Sequence, residues 1–476
     1  MKRPRLVWSL SALAALALLL GGFLWWRAGE RAATIAAAIP HRPDLSSFHH
    51  ELTGRISTAE RAARMGPGRL DALRDLGRLY QANGLLTEAS QCYQALVQLD
   101  GSDPRWAHRL AWIYAGYGQL DDALPLWRAV AKQAPDYLPV RIRIGDTLLR
   151  LDRIGEAERS YLEVLGKDAS NSYALLGLGR VEMARNNWKA ARERMEAAAL
   201  QTNYIIGGNL LVTIYEKLGM EEQALAIRGM GKASGSFFDV PDPWIDELYP
   251  DCFDVFRLLI MSGMTDRTGD TQTAIVMTQR AIQLAPKDVR ALFQLAGYYK
   301  KLKEPAKAAP LMERCTVLDP GFPDPWIHLY LIQSDEGNEA AVQTLRNGLD
   351  ACPKSPAMHL EYGRLLAKNG RLQEALEEFQ ISSRLRPEEA DALIEKAGVY
   401  FKMNEIDKGI ECLNAALVSQ PAHPGALSGL AFSAISLNRE SEARKWLRQI
   451  SMQPRISNQS REALIEAFRK QFGHEP

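Results

Sequence analysis

Residues 356–389 read PAMHLEYGRLLAKNGRLQEALEEFQISSRLRPEE. The apolar spacing is that of two amphipathic helices. The first offers Leu360, Tyr362, Gly363 and Leu366 along one side, and the second offers Leu372, Ala375, Leu376, Phe379 and Ser382. Asn369-Gly370 supplies a tight turn between them, and Pro387 follows the end of the second helix. Small residues at Gly363 and Ala375 let the two helices approach closely. A unit of this kind buries only one face of itself, so it needs a neighbour on each side.

The neighbours are present. The place of Ala375 is filled at Ala89, Ala123, Ala157, Ala191 and Ala224, and again at Ala274, Ala308, Ala341, Gly409 and Ala443, in steps of 33 or 34 within each run. Twelve residues further on stand Pro135, Pro286, Pro320, Pro353, Pro387 and Pro421. The place of Gly363 recurs as Gly77, Ala111, Gly145, Gly179, Ala296, Ala397 and Ala431. An aromatic residue three further along appears at Tyr80, Tyr114, Tyr299 and Tyr400. This period, with these positions, resembles the tetratricopeptide repeat family over about residues 70–457, as eleven repeats in register. The resemblance implies an all-α solenoid of about eleven helix pairs in two stacks. It also implies that first helices line a concave face where peptide ligands bind.

A chain of 476 residues is too long for one compact core but natural for a solenoid, which grows by adding units. The formal net charge of +1 argues against nucleic acid as the main partner. The five cysteines, Cys92, Cys252, Cys315, Cys352 and Cys412, include no Cys-x-x-Cys pair, and they read as small buried hydrophobes.

At the N-terminus, a short basic tail (residues 1–5, with Lys2, Arg3 and Arg5) precedes 21 uncharged residues, Leu6–Trp26. That length suits a transmembrane signal anchor, with Trp25-Trp26 at the interface. A cleaved signal peptide is the alternative; it would give a secreted chain, but Ala36-Ala37-Ala38 comes late for its cleavage site. The basic tail favours repeats on the periplasmic or outer side of a bacterial-type plasma membrane, in a single-pass arrangement. Residues 27–69 are expected to hold a spacer and a capping helix. In it, Ala32–Ile39 prolongs the first helix until Pro40, and a second helix starts at Pro43-Asp44 with Leu45, Phe48, Leu52 and Ile56 on one face.

Repeats 1–5 are expected over 70–232 and repeats 6–11 over 255–457, with a final capping helix, Asn458–Phe472, within residues 458–476. Between the two runs, residues 233–254 read ASGSFFDVPDPWIDELYPDCFD. Pro241-Asp242-Pro243-Trp244 recurs as Pro323-Asp324-Pro325-Trp326, with Asp103-Pro104-Arg105-Trp106 as a near copy. Asp followed by Pro suits the start of a helix. Asp242 should therefore begin a short helix that Pro250 ends, making the insertion an ordered plug rather than a loose tether.

No catalytic motif is present: there is no His-Glu-x-x-His, Gly-x-Ser-x-Gly or Walker loop. His49-His50-Glu51 is a poor chelator, because adjacent residues on a helix point about 100° apart. Asp239, Asp242, Asp246, Glu247 and Asp251 could act in pairs, but they read better as caps and solubilising charges. No cofactor, metal or small-molecule substrate is expected. The candidate partner-binding side chains are first-helix residues not used for packing: Arg74, Arg78, His108, Arg109, Trp112, Arg143 and Arg180. Trp and Arg are frequent interface anchors. The paired Lys and Asn of the family's carboxylate clamp have no match here. In the second run the comparable places are apolar: Phe293, Ile327, Leu331, Leu360, Ile394, Phe401 and Phe432. That face suits an amphipathic helix or the insertion itself. The expected function is a membrane-anchored scaffold that captures protein segments, with the bilayer contacted through residues 6–26. An assembly or maturation factor handing clients to a membrane complex is the alternative, and an enzyme with its site in 233–254 the third reading.

Overall fold

Left-handed residues punctuate the backbone at near-constant intervals. They are Gly84, Gly118, Asp152, Asn186 and Gly219, then Gly269, Lys303, Gly337, Gly370, Asn404 and Asn438. Only Gly473, near the C-terminus, joins them among the described residues. Each follows a first helix and reverses the chain, so that the next amide reaches back to the helix's last turn. Leu85 N donates to Tyr80 O at 2.9 Å, Arg153 N to Leu148 O at 2.8 Å and Arg371 N to Leu366 O at 3.0 Å. Gly, Asn and Asp fill ten of these eleven turns because they tolerate this conformation best, and Lys303 is the exception.

The structure is a computed structural model. It describes all residues except 1–3, 67, 202–204, 222, 225–226, 228–239, 268, 338, 422, 452–455 and 457, and it leaves out the side chains of 4–17, 199–201, 205–207 and 458 as well. The chain is all-α, with no strand among the described residues. Repeats 1–4 are the helix pairs Arg69–Ala82 with Leu86–Leu99, Pro104–Gly116 with Leu120–Gln133, Leu138–Arg150 with Ile154–Leu165, and Ser172–Ala184 with Trp188–Gln201. Repeat 5 begins with Ile205–Lys217, and its second helix lies largely outside the described residues. Repeat 6 is Val255–Arg267 with Thr271–Leu284. Repeats 7–11 are Val289–Lys301 with Pro305–Leu318, Pro323–Asp335 with Ala340–Ala351, Pro356–Lys368 with Leu372–Leu385, Asp391–Lys402 with Ile406–Ser419, and Pro424–Ser436 with Glu440–Ser451.

The small-residue ladder sits at the helix–helix contact, as its spacing requires. Ala89, Ala123, Ala157, Ala191, Ala274, Ala308, Ala375 and Ala443 are wholly buried. One turn on, a large side chain such as Tyr93, Tyr161 or Phe379 lies flat against the glycine of the first helix. A Cβ at Gly145 would come within 2.6 Å of the Tyr161 ring, and one at Gly363 within 2.6 Å of Phe379. Phe401 is absorbed in the same way: it packs on Gly409, so it belongs to the core of repeat 10 rather than to a binding face.

Pro4–Ala38 forms one helix that stops before Pro40, as the sequence indicates. The expected span Leu6–Trp26 lies partly outside the described side chains. Among the described residues no helix is long and apolar enough to cross a membrane. The last turns of this helix are tied to repeat 1: Ile35 and Ile39 are buried in its core, and Arg31 Nη2 donates to Leu99 O at 3.2 Å. The capping helix starts later than expected, at His50. Asp44 instead folds a turn, with its carboxylate accepting from Ser46 N at 2.9 Å, and His49 Nδ1 caps the helix by accepting from Glu51 N. Leu45 and Phe48 still reach the core from this loop, beside Leu52 and Ile56. At the C-terminus Asn458–Phe472 closes the last repeat with Leu464 and Phe468, whereas Ala463 is exposed.

Contacts divide the chain into two units. Unit 1 comprises residues 1–201 and 239–285, and unit 2 comprises 202–238 and 286–476. Sequence order alone groups repeat 6 with repeats 7–11; by contacts repeat 6 goes with repeats 1–4. The side chains of its helices explain this: Arg280 lies over the Phe253 ring and Arg257 fills the space above Gly84 of repeat 1.

Candidate peptide-binding groove

Within unit 1, the first-helix side of repeats 1–3 holds the segment Val240–Phe253 of the same chain. The segment contains the expected short helix, Pro243–Asp246, and then a 3-10 turn, Tyr249–Asp251, that includes Pro250. Asp242 stands at the N-cap position but does not cap. Its carboxylate turns into repeats 2 and 3, 2.8 Å from His108 Nε2, 2.6 Å from the Tyr137 hydroxyl and 3.6 Å from Arg143. Asp242 is 3% exposed and His108 0%. Burial alone would raise the Asp242 carboxyl; His108, Arg143 and the Tyr137 hydroxyl outweigh it and hold the group below the ordinary carboxylate value. Burial, then the neighbouring Asp242 charge and its hydrogen bond, push the Tyr137 phenol well up.

The next anchors follow in order. Trp244 stacks on Tyr137 with ring centroids 3.7 Å apart and planes 8° from parallel, and it meets His108 edge-on at 5.5 Å. Its amide donates to the Tyr137 hydroxyl at 3.0 Å, and its carbonyl accepts from Arg109 Nη2 at 3.0 Å. Glu247 pairs with Arg109, which is 1% exposed, and lies 3.6 Å from Arg105. Asp251 sits between Arg78 at 2.7 Å and Arg55 at 3.0 Å. Asn83 clamps the main chain beyond it: Nδ2 donates to Asp251 O at 2.8 Å, and Oδ1 accepts from Phe253 N at 2.7 Å. Phe253 is buried in the core of cap and repeat 1, with Arg55 and Arg280 over its ring. Cys252 is buried too, its thiol pushed up to about 11 first of all by burial.

Of the seven side chains singled out from sequence, Arg78, His108, Arg109 and Arg143 meet the segment. The other three do not. Arg74 pairs with Asp100 at 2.6 Å, Arg180 pairs with Asp146 at 2.8 Å, and Trp112 is half-buried between the cores on either side of it. Asn83, Tyr137 and Arg55 escape sequence reasoning. Asn83 fills the turn place that Asn369 fills in repeat 9 and so reads as a turn residue, Tyr137 precedes a helix, and Arg55 belongs to the cap. A cavity of about 320 Å³ opens beside the segment, lined among others by Arg74, Arg78, Arg105, Trp106, Asp71 and Glu247. Asp239 lies outside the described residues. Asp242 faces Arg143, Glu247 faces Arg109, and Asp251 faces Arg78 and Arg55. Among the described residues no group of three His, Cys, Asp or Glu could hold a metal ion.

A helical repeat protein whose first helices grip a segment of irregular chain is the class that this geometry defines. The family model for the tetratricopeptide repeat matches residues 56–104, 142–204 and 327–390. In those three stretches the chain carries tetratricopeptide repeats. It is 22% identical over 347 residues to cellulose synthase 1 operon protein C of Komagataeibacter xylinus, a match over 70% of this chain but 22% of that protein. It is 21% identical over 421 residues to human DnaJ homolog subfamily C member 3, covering 83% of this chain and 74% of the other. Among solved structures, yeast Tom70 aligns over 84% of this chain and 95% of its own, at 15% identity and a TM-score of 0.40.

Proposed function

We propose that the protein is a membrane-anchored scaffold that captures amphipathic helices of partner proteins on the first-helix face of repeats 7–11. One observation carries this reading. At the register where repeats 1 and 2 place Arg74 and His108, repeats 7–10 place Phe293, Ile327, Leu360 and Ile394, each half-buried with one side against its repeat core. One turn along, at the register of Arg78, Leu331 is 39% exposed and Phe432 59% exposed. A row of apolar side chains at helical register is the surface that an amphipathic helix recognises. The uncharged stretch Leu6–Trp26 supports the anchor, because the helix that contains it runs on to Ala38 and packs onto repeat 1. With the basic tail inside, the repeats would lie on the periplasmic or outer side.

The test is Leu331→Asp with Phe432→Asp in the full chain. Both side chains are exposed, so helical content should be kept, while crosslinked recovery of partner proteins should fall at least about tenfold. Undiminished recovery removes the docking face. Release of the chain from membranes by carbonate removes the anchor.

A further inference from the structure

We infer that the groove of repeats 1–3 is a second recognition site, a reader of acidic, aromatic segments of a partner protein, and that Val240–Phe253 is its resident stand-in. This stands apart from the apolar row of unit 2 and can fail without it.

Three features of the groove argue for a reader. The first is that the groove holds main chain as well as side chains. The Trp244 amide and carbonyl and the Asp251 carbonyl and Phe253 amide are all met by groove side chains, from Tyr137, Arg109 and Asn83. Contacts to backbone groups accept any chain that takes up this turned path with suitable side chains, which is how peptide grooves combine affinity with selection. The second is that the receptors are spaced for particular anchors. His108 with Tyr137 and Arg143 takes a carboxylate, the Tyr137 face takes an indole, Arg109 takes a second carboxylate and Arg78 with Arg55 a third. Asp242 gives up the capping bond open to it at its helix start in order to fill the first of these. The third is charge. Without the segment, Arg55, Arg78, Arg105, Arg109 and Arg143 face Asp75 beside Arg78 and Asp103 on Arg105. The segment's acids meet four of these cations: Asp242 faces Arg143, Glu247 pairs with Arg109, and Asp251 lies between Arg78 and Arg55. A vacant groove therefore attracts an acidic ligand, in a chain whose net charge is only +1.

A resident segment lowers the apparent affinity for any competitor by the fraction of time it is docked. A labelled peptide of residues 239–254, with Ser in place of Cys252, is the probe for the full chain in mild detergent. Loosening the resident with Trp244→Ala or, more gently, Asp251→Asn should tighten peptide binding at least about tenfold. Adding Asn83→Ala should abolish the gain, and a scrambled peptide should not bind. The wild-type chain supplies a second readout that needs no variant. Cys252 lies in the segment and Cys92 in the core of repeat 1, and both are fully buried. If the segment undocks by itself, Cys252 should react with a thiol reagent at least about tenfold faster than Cys92, and added peptide should speed it further. Cys252 reacting no faster than Cys92 would mean that the segment leaves only when repeat 1 unfolds, which overturns the proposal. Equal peptide binding by wild-type and loosened chains overturns it too. So does a dimer that exchanges this segment between two copies, which would make the occupant a second chain.

Discussion

Asp242 shows how one residue can be half legible. Its neighbours Pro243 and Trp244 mark a helix start, and a helix does start there. Nothing in the local sequence says that the carboxylate will desert the cap for His108, 134 positions away. That choice is set by burial and by the cations waiting in repeats 2 and 3, which no local pattern contains. It has a measurable consequence. The folded Asp242 carboxyl titrates below the ordinary value of 3.8, so its contribution is complete above that pH and is lost as pH falls through the lower, folded value. The groups facing it are His108, Tyr137, Arg143 and, nearby, Asp246. Asp242→Asn should therefore cost about 2–3 kcal/mol of urea stability at pH 6, with the gap to wild type narrowing only as pH falls below the ordinary value of 3.8. A gap independent of pH would show that the charge of Asp242 is not what holds the segment.

At the scale of the element, the repeat pattern was readable because each position answers to one contact. The small residues of the second helix and the left-handed turns recur at the same step, since one governs how closely the helices approach and the other how the chain reverses. Two glycines test this directly. Gly145→Ala drives a methyl into the Tyr161 ring and should destabilise by about 1–3 kcal/mol, even after the gain in helix propensity. Gly398→Ala meets nothing within 4 Å, so it should instead stabilise by up to about 1 kcal/mol. Urea midpoints of the two variants should move in opposite directions; movement in the same direction would mean that the ladder does not set helix spacing. Elements outside the repeat were read less well. The cap helix starts seven residues after Pro43 because Asp44 and His49 each spend a side chain on a local turn or cap.

For the whole molecule, the sequence order of the repeats did not reveal their grouping. Repeat 6 joins repeats 1–4 through Phe253, Arg257 and Arg280, contacts made by residues that no repeat position predicts. The candidate site was legible in part for the same reason. Arg78, His108, Arg109 and Arg143 lie at repeat positions on a first helix, while their occupant comes from the irregular stretch. The pairing of that stretch with repeats 1–3 is the claim on which the rest depends. A double-mutant cycle between His108→Ala and Asp242→Ala, read by urea unfolding of the full chain, tests it most directly. Side chains that touch should show a coupling of more than about 1 kcal/mol. Strictly additive losses would mean that Asp242 never meets repeat 2, and the segment would have to be placed elsewhere.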